Sequence, residues 1–351
     1  MRWLVHHCIM RAATIESVTN GDGTHIAVRD VPPPPAAGRA LVRVAQAGVC
    51  GTDLKIAAGD IPVRAPRVMG HEMTGWVEAP GPRGLVPAGT RVLVNPAVWC
   101  GACDLCRRDL PQLCRAGALL GRDVDGCFAD LVAVDETLLH PIPDGVPDDE
   151  AALLQVLSTC VHAQSGLRPS PGDSAVVVGL GVSGLLHVQL LRSRGVGTIV
   201  GVTRSPAKRD LALACGATAV AAPGAAADTV REATAGRGAG IAIECVGTAA
   251  TLAQTMRLAG AGATVVAFGT TVPPADGLPT YEWYYKELTI LNPRAARPRD
   301  CDEAVRLTAA RQVDVGHLVT ARYPLDRITD ALAACRDSRQ LKVVLDVASR
   351  G

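Results

Sequence analysis

Aromatic side chains are scarce in this 351-residue chain, with four Trp, four Tyr and two Phe making up 3% of it. A core must therefore be built from aliphatic side chains, and stacking platforms for nucleic-acid bases are hard to assemble. Excess charge of either sign is also missing: 35 Lys plus Arg face 34 Asp plus Glu, for a formal net charge of +1. No bulk field grips phosphate backbones or acidic membranes, so neither nucleic acid nor membrane is an expected partner. The opening MRWLVHHCIM lacks the long apolar core and small-residue cleavage site of a secretory signal, and a cytoplasmic protein is expected. MRAATI from Met10 reads as a second, more natural start, with residues 1–9 a dispensable extension. No apolar run spans a bilayer. The most apolar window, 175–191, contains His187, Gln189 and three glycines, and reads as a buried strand followed by a helix.

What is plentiful is backbone punctuation, 36 Gly and 24 Pro, within a composition that is 48% hydrophobic. This suits one large or two ordinary domains. Up to about residue 150, short β-type runs (Leu41–Val44, Arg91–Val94, Leu131–Val134) lie between turn clusters, and Pro32–Pro35 is an extended connector. At Asp148 the grammar changes. Asp148 can cap a helix through Ala151 to about Ser165, and strands at 174–178, 198–203, 217–221, 240–245, 264–268 and 287–291 then alternate with helices. That alternation predicts an α/β fold with a doubly wound, six-stranded parallel sheet of Rossmann type. Ser205 and Pro206 sit at N-cap and first helical position, Gly216 follows the last turn, and Thr248 opens the next helix. Beyond 292, a helix (Asp302–Ala310), a strand near Val319, a helix (Ile328–Cys335) and a strand (Leu341–Val347) exceed the six-strand unit. They are expected to return to the first domain. The division is 1–153 (core 10–153), 154–292 for dinucleotide binding, and 293–351 completing the first domain.

Twelve cysteines in a reducing compartment argue for metal or buried thiols over disulfides. Cys100, Cys103, Cys106 and Cys114 form a C-x2-C-x2-C-x7-C run. Four thiolates so spaced match the closed tetrahedral set of a structural zinc; an iron–sulfur site and incidental thiols are the alternatives. Gly179-Leu180-Gly181-Val182-Ser183-Gly184 follows an apolar strand and opens an apolar helix, the context in which G-x-G-x-x-G cradles a pyrophosphate. At the end of the next strand stand Thr203, Arg204 and Ser205, with Lys208 and Arg209 following and no carboxylate to hydrogen-bond a ribose 2′-OH. Arg204 can instead pair with a 2′-phosphate, favouring NADP(H) over NAD(H), against the plainer reading of a solvated arginine. Finally, Cys50-Gly51-Thr52-Asp53 and Gly70-His71-Glu72 supply the ligand types of a catalytic zinc with an open position.

In this order and with these separations, CGTD, GHE, the four-cysteine loop and GLGVSG resemble the zinc-dependent medium-chain alcohol dehydrogenase family. CGTD together with GCFAD (Gly126–Asp130) is most similar to its threonine and polyol dehydrogenase branch. The resemblance spans about Met10 to Val347. It implies a GroES-like β-rich catalytic domain, a Rossmann domain and an active site in the cleft between them. It also implies that Cys50 and His71 are zinc ligands, that Asp53 fixes the ring of His71 and that Glu72 lies beside the metal. Where relatives offer a further Cys or Glu, this chain has Gln155, a poorer ligand. Either Glu72 moves in, Gln155 binds weakly, or the site is partly empty; Cys160 is a remote further candidate.

The implied reaction is hydride transfer between the nicotinamide and a secondary alcohol, polyol or amino alcohol, or the matching ketone, with the proton leaving through Thr52. Lys55 stands where relatives have a relaying histidine. A homodimer or homotetramer is implied by resemblance alone. Tyr281–Tyr285 (YEWYY) gathers four of the ten aromatics, as a contact surface or as a local anchor, and Trp99 reads as packing. The competing function is a dinucleotide-binding protein or metal-free reductase of the same fold that has lost its catalytic zinc. A zinc-ribbon nucleic-acid binder would need a basic face from Arg107, Arg108 and Arg115.

Overall fold

The computed structural model describes residues 9–19, 23–270 and 277–348. Residues 1–8, most of the possible extension, lie outside them. Two compact units emerge. The first takes in the described residues of Met1–Ser158, Ala296–Ala309 and Val315–Gly351, and the second comprises Thr159–Ala295 and Ala310–Asp314.

In the first unit, Ala40–Val49 (ALVRVAQAGV) is buried along most of its length, as expected of an apolar strand at the middle of a sheet. It pairs antiparallel with Glu72–Ala79 on one side and Lys342–Asp346 on the other. The sheet runs Leu139–Pro141, Arg91–Val94, Glu72–Ala79, Ala40–Val49, Lys342–Asp346, Val319–Pro324, with Leu131–Val134 also on Ala40–Val49. Gly48 faces Glu72 across one edge of its strand and Val344 across the other. A smaller sheet orders Gly23–Val31, Met10–Thr19 and Arg67–Val68. The core beneath is aliphatic, with Phe128 the one aromatic among the largest fully buried side chains. Trp99 packs against that core, as the sequence suggests.

In the second unit the strands lie in the order Ala219–Ala221, Thr198–Val202, Ser174–Val178, Ala239–Glu244, Ala259–Ala267, Thr289–Leu291, all parallel. Numbered along the chain this is 3-2-1-4-5-6, the doubly wound order of a dinucleotide-binding sheet. All six predicted strands exist. Ser205 caps Pro206–Ala214 by accepting the Lys208 N–H, and Thr248 caps Ala249–Leu258.

Several expectations need correction. Asp148 is the first residue of its helix, not the cap; Pro147 holds the cap position, and carboxylates at 148–150 face the positive helix end. The single helix drawn from Ala151 to Ser165 is two, Asp148–Ala151 and Leu154–Gln164. The helix expected from Asp302 begins at Pro298, where proline has no donor to lose. No helix of the described residues is long and apolar enough to cross a membrane.

Candidate active site and metal clusters

Cys50 follows the strand Ala40–Val49 in extended conformation and serves as N-cap of the helix Gly51–Ala58. Its backbone N–H donates to Asp53 Oδ2 at 2.8 Å, which folds Asp53 back beneath the helix start, fully buried. Asp53 Oδ1 lies 3.5 Å from His71 Nδ1 and has no hydrogen-bond partner of its own. A histidine whose Nδ1–H points at a carboxylate keeps Nε2 as a lone-pair donor for a cation. Burial works against a charged His71 ring, yet Asp53 and the Cys50 thiol beside it prevail and hold its pKa well above the ordinary histidine value.

The loop that delivers His71 is backed by the segment spelled GCFAD. Gly126 N–H donates to Val68 O, Cys127 N–H to Gly70 O and Phe128 N–H to Met69 O, at 2.8–3.0 Å. Gly70 has a positive φ of 90°, and a side chain there would strike the Phe128 ring. A side chain at Gly121 or Gly126 would strike the backbone of Gly70. Asp130 closes the segment with a paired contact to Arg11.

Cys50, His71 and Glu72 place one ligand atom each within 4.8 Å of one another. A thiol, an imidazole and a carboxylate, with an orphaned buried carboxylate oxygen behind the imidazole, fit a zinc ion. Thr52 is half-buried on the same helix, whereas Lys55 is exposed. Gln155 is buried on Leu154–Gln164, in the same unit as Cys50 and His71. Cys160 is not one of this cluster. It is fully buried in the second unit, its Sγ 3.8 Å from Ser183 O, and burial pushes its thiol pKa up.

Sequence reading missed two residues here. Lys342, 3% exposed, forms an ion pair with Glu72 and donates to Val49 O at 3.0 Å. Gly48 lies between them, with no side chain to separate the pair. The available signal was a lysine within the apolar run LKVVLDV, where a strand between two neighbours buries both faces.

The second cluster is local. Cys114 Sγ lies 3.5 Å from Cys100 Sγ and 3.9 Å from Cys103 Sγ, and Cys103 Sγ lies 3.6 Å from Cys106 Sγ. N–H groups of Arg115 and Cys106 hold the Cys103 thiol down at about 6, and burial pushes Cys106 up to about 12. Four sulfurs at contact distance fit a closed tetrahedral zinc. Of the neighbouring arginines, Arg115 engages Asp104 and Arg107 donates to Ala102 O, while Arg108 is exposed.

In the second unit, Gly179 has φ of 94°, and a side chain on Gly184 would meet Gly179 O, so helix Val182–Ser193 packs closely on its strand. Gly181 faces open space at the N-terminus of this helix, beside Leu180 and Val182. Backbone N–H groups at such an end bind phosphate. Thr203 N–H joins Ala221 O at 3.1 Å, Lys208 N–H completes the Ser205 cap, and Arg204 is exposed. The aromatic stretch divides: Trp283 Nε1–H anchors to Leu288 O at 2.8 Å, while Tyr281, Tyr284 and Tyr285 are 74–80% exposed.

Residues 36–144 match the alcohol dehydrogenase GroES-like domain, and residues 182–348 match the zinc-binding dehydrogenase family. The chain is 31% identical over 306 residues to 2-dehydro-3-deoxy-L-galactonate 5-dehydrogenase of Pseudoalteromonas atlantica, covering 85% of this chain and 88% of that one. It is 30% identical over 335 residues to sorbitol dehydrogenase of Halalkalibacterium halodurans, covering 92% and 95%. An NADP-bound structure of a protein assigned as a zinc-binding dehydrogenase from Sinorhizobium meliloti 1021 superposes with a TM-score of 0.88 at 31% identity, over 97% and 99% of the two chains. With the mixed ligand cluster, the four-thiol loop and the doubly wound sheet all present, this chain belongs to the zinc-dependent medium-chain alcohol dehydrogenase family.

Proposed function

We propose that the protein is a zinc alcohol dehydrogenase that interconverts a secondary alcohol, polyol or amino alcohol with its ketone, using NADP(H) in preference to NAD(H). The observation that carries the reaction is the convergence of Cys50, His71 and Glu72 around one ion-sized position, with Asp53 behind His71. Zinc bound there supplies a Lewis acid that lowers the pKa of an alcohol oxygen. Cys50 and His71 hold the ion, and Gln155 is offered as a further, neutral ligand. Asp53 fixes the tautomer and orientation of His71. The Thr52 hydroxyl takes up the alcohol proton and passes it on, with exposed Lys55 the candidate relay to solvent. Gly179, Leu180, Gly181, Val182 and Gly184 seat the pyrophosphate. Thr203 and Arg204, followed by Lys208, meet the adenosine ribose end.

The NADP(H) preference rests on Arg204, exposed at the end of its strand with no carboxylate from 203 to 209. The polyol and sugar-acid substrates named for the two relatives support the alcohol class. Elemental analysis of protein purified without chelators should find about two zinc ions per chain. An alcohol panel with both cofactors, read at the absorbance of reduced nicotinamide, should then favour NADP+. Arg204→Ala should raise KM for NADP+ about tenfold, the worth of one charge-assisted hydrogen bond at an exposed position. Better turnover with NAD+ would refute the Arg204 assignment. About one zinc per chain with undiminished turnover would favour the metal-free reductase, the reading that Gln155 motivates.

A further inference from the structure

Glu72 and Lys342 come from strands on opposite sides of Ala40–Val49 and meet over Gly48. A Cβ on Gly48 would collide with the Glu72 carboxylate and lie 2.6 Å from Lys342 Cε. Both side chains are 3% exposed. Burying two opposite charges is costly, and an apolar pair of similar volume would serve the core as well or better, so stability does not explain the pair. Its position does. The Glu72 carboxylate is also within 4.8 Å of the Cys50 and His71 ligand atoms. One carboxylate therefore faces two cation positions, the Lys342 ammonium and the metal.

We propose that Lys342 is a positioning residue that holds Glu72 beside the catalytic metal rather than on it, and that Gly48 provides the room for this restraint. The inference rests on the zinc reading above. While Lys342 engages Glu72, the Cys50 thiolate is the only anionic ligand of the divalent ion, which keeps net positive charge to polarise a substrate oxygen and leaves a position free for it. Release of Glu72 would supply a second anion, bind the ion more tightly and fill that position. The Val49 carbonyl fixes Lys342 from a second direction, so the ammonium does not follow Glu72 toward the metal.

The test measures metal binding directly on the full chain with the four-thiol cluster loaded. Zinc affinity is read by chelator competition, and coordination by the visible absorption of the cobalt(II)-substituted protein. Lys342→Met should bind zinc about tenfold more tightly, the usual scale for outer partners of metal ligands, with lower alcohol turnover. Its cobalt absorption bands should shift, as expected when a carboxylate oxygen takes the open position. Gly48→Ala, which keeps both charges but forces them apart, should shift affinity and spectrum in the same direction, and it decides the matter alone should Lys342→Met not fold. Lys342→Met combined with Glu72→Gln should return both readouts to the parent values. Unchanged or weaker zinc binding overturns the proposal. So does tighter binding with an unaltered cobalt spectrum, which would leave Lys342 a bystander charge. A parent protein that binds only the four-thiol zinc would instead refute the zinc reading itself.

Discussion

The two candidate metal clusters are built in opposite ways. The four-thiol cluster lies within residues 100–114, around a four-residue helix and a single turn of 3-10 helix, and Cys100 is exposed. The other cluster draws Cys50 from a strand end and His71 and Glu72 from a loop and the start of a second strand. It then borrows Lys342 from nearly the end of the chain. A cluster made of neighbours needs only short-range turns to assemble, and four like ligands close it around its ion. A cluster made from distant segments must be positioned by the core, and its unlike ligands leave room for chemistry. The first should act through stability and the second through turnover.

The largest expected effect tests that division at the distributed cluster. Cys50→Ala should lower kcat/KM about 10³-fold or more, since a Lewis acid contributes several kcal/mol to the barrier. Its zinc content should fall to that of the thiol cluster while Tm barely moves. A variant that unfolds would make both clusters structural and erase the contrast. The converse is Cys103→Ala, expected to cost about 3 kcal/mol, or roughly 6–12 °C in Tm by differential scanning calorimetry. Residual activity per folded molecule should persist at low temperature; its disappearance there would give the thiol loop a part in the reaction.

The smallest effect sharpens the comparison by setting His71 beside a buried histidine that belongs to neither cluster. His187 is fully buried in the second unit, with Gln164 2.9 Å from Nδ1 and Phe268 edge-on at 4.8 Å between centroids. Burial, reinforced by the Arg194 charge, pushes its pKa down to about 3, against 6.5 ordinarily. Between those values the unfolded chain carries a proton that the native ring does not. The stabilisation is therefore complete above pH 6.5 and declines as pH falls toward 3, by up to about 1.4 kcal/mol per pH unit. At pH 5 this single site should account for about 2 kcal/mol. His187→Gln should flatten the pH dependence of urea unfolding by one proton; parallel curves for parent and variant would show that His187 does not titrate this way.

How much could be read in advance follows the same distinction between near and far. The Cys100–Cys114 loop, the Gly179–Gly184 turn and the caps at Ser205 and Thr248 are short-range arrangements, and spacing alone revealed them. Cys50 and His71 emerged because each lies within a compact motif. Lys342 did not, because its role depends on a register that brings three strands side by side, and nothing near residue 342 mentions residue 72. Gly48 was invisible for the complementary reason, since its contribution is an absent side chain. The break between Ala151 and Leu154 escaped because apolar residues continue through it without a proline or glycine to mark it.

The junction of Gly70 with Gly121 and Gly126 has its own consequence for how such a chain can diverge. Where main chain rests directly on main chain, substitution has no gradations: the smallest methyl added at Gly121 or Gly126 already meets the backbone of Gly70. The histidine-bearing loop is then inherited whole or lost whole. New substrate preferences would have to arise by changing what surrounds that fixed point.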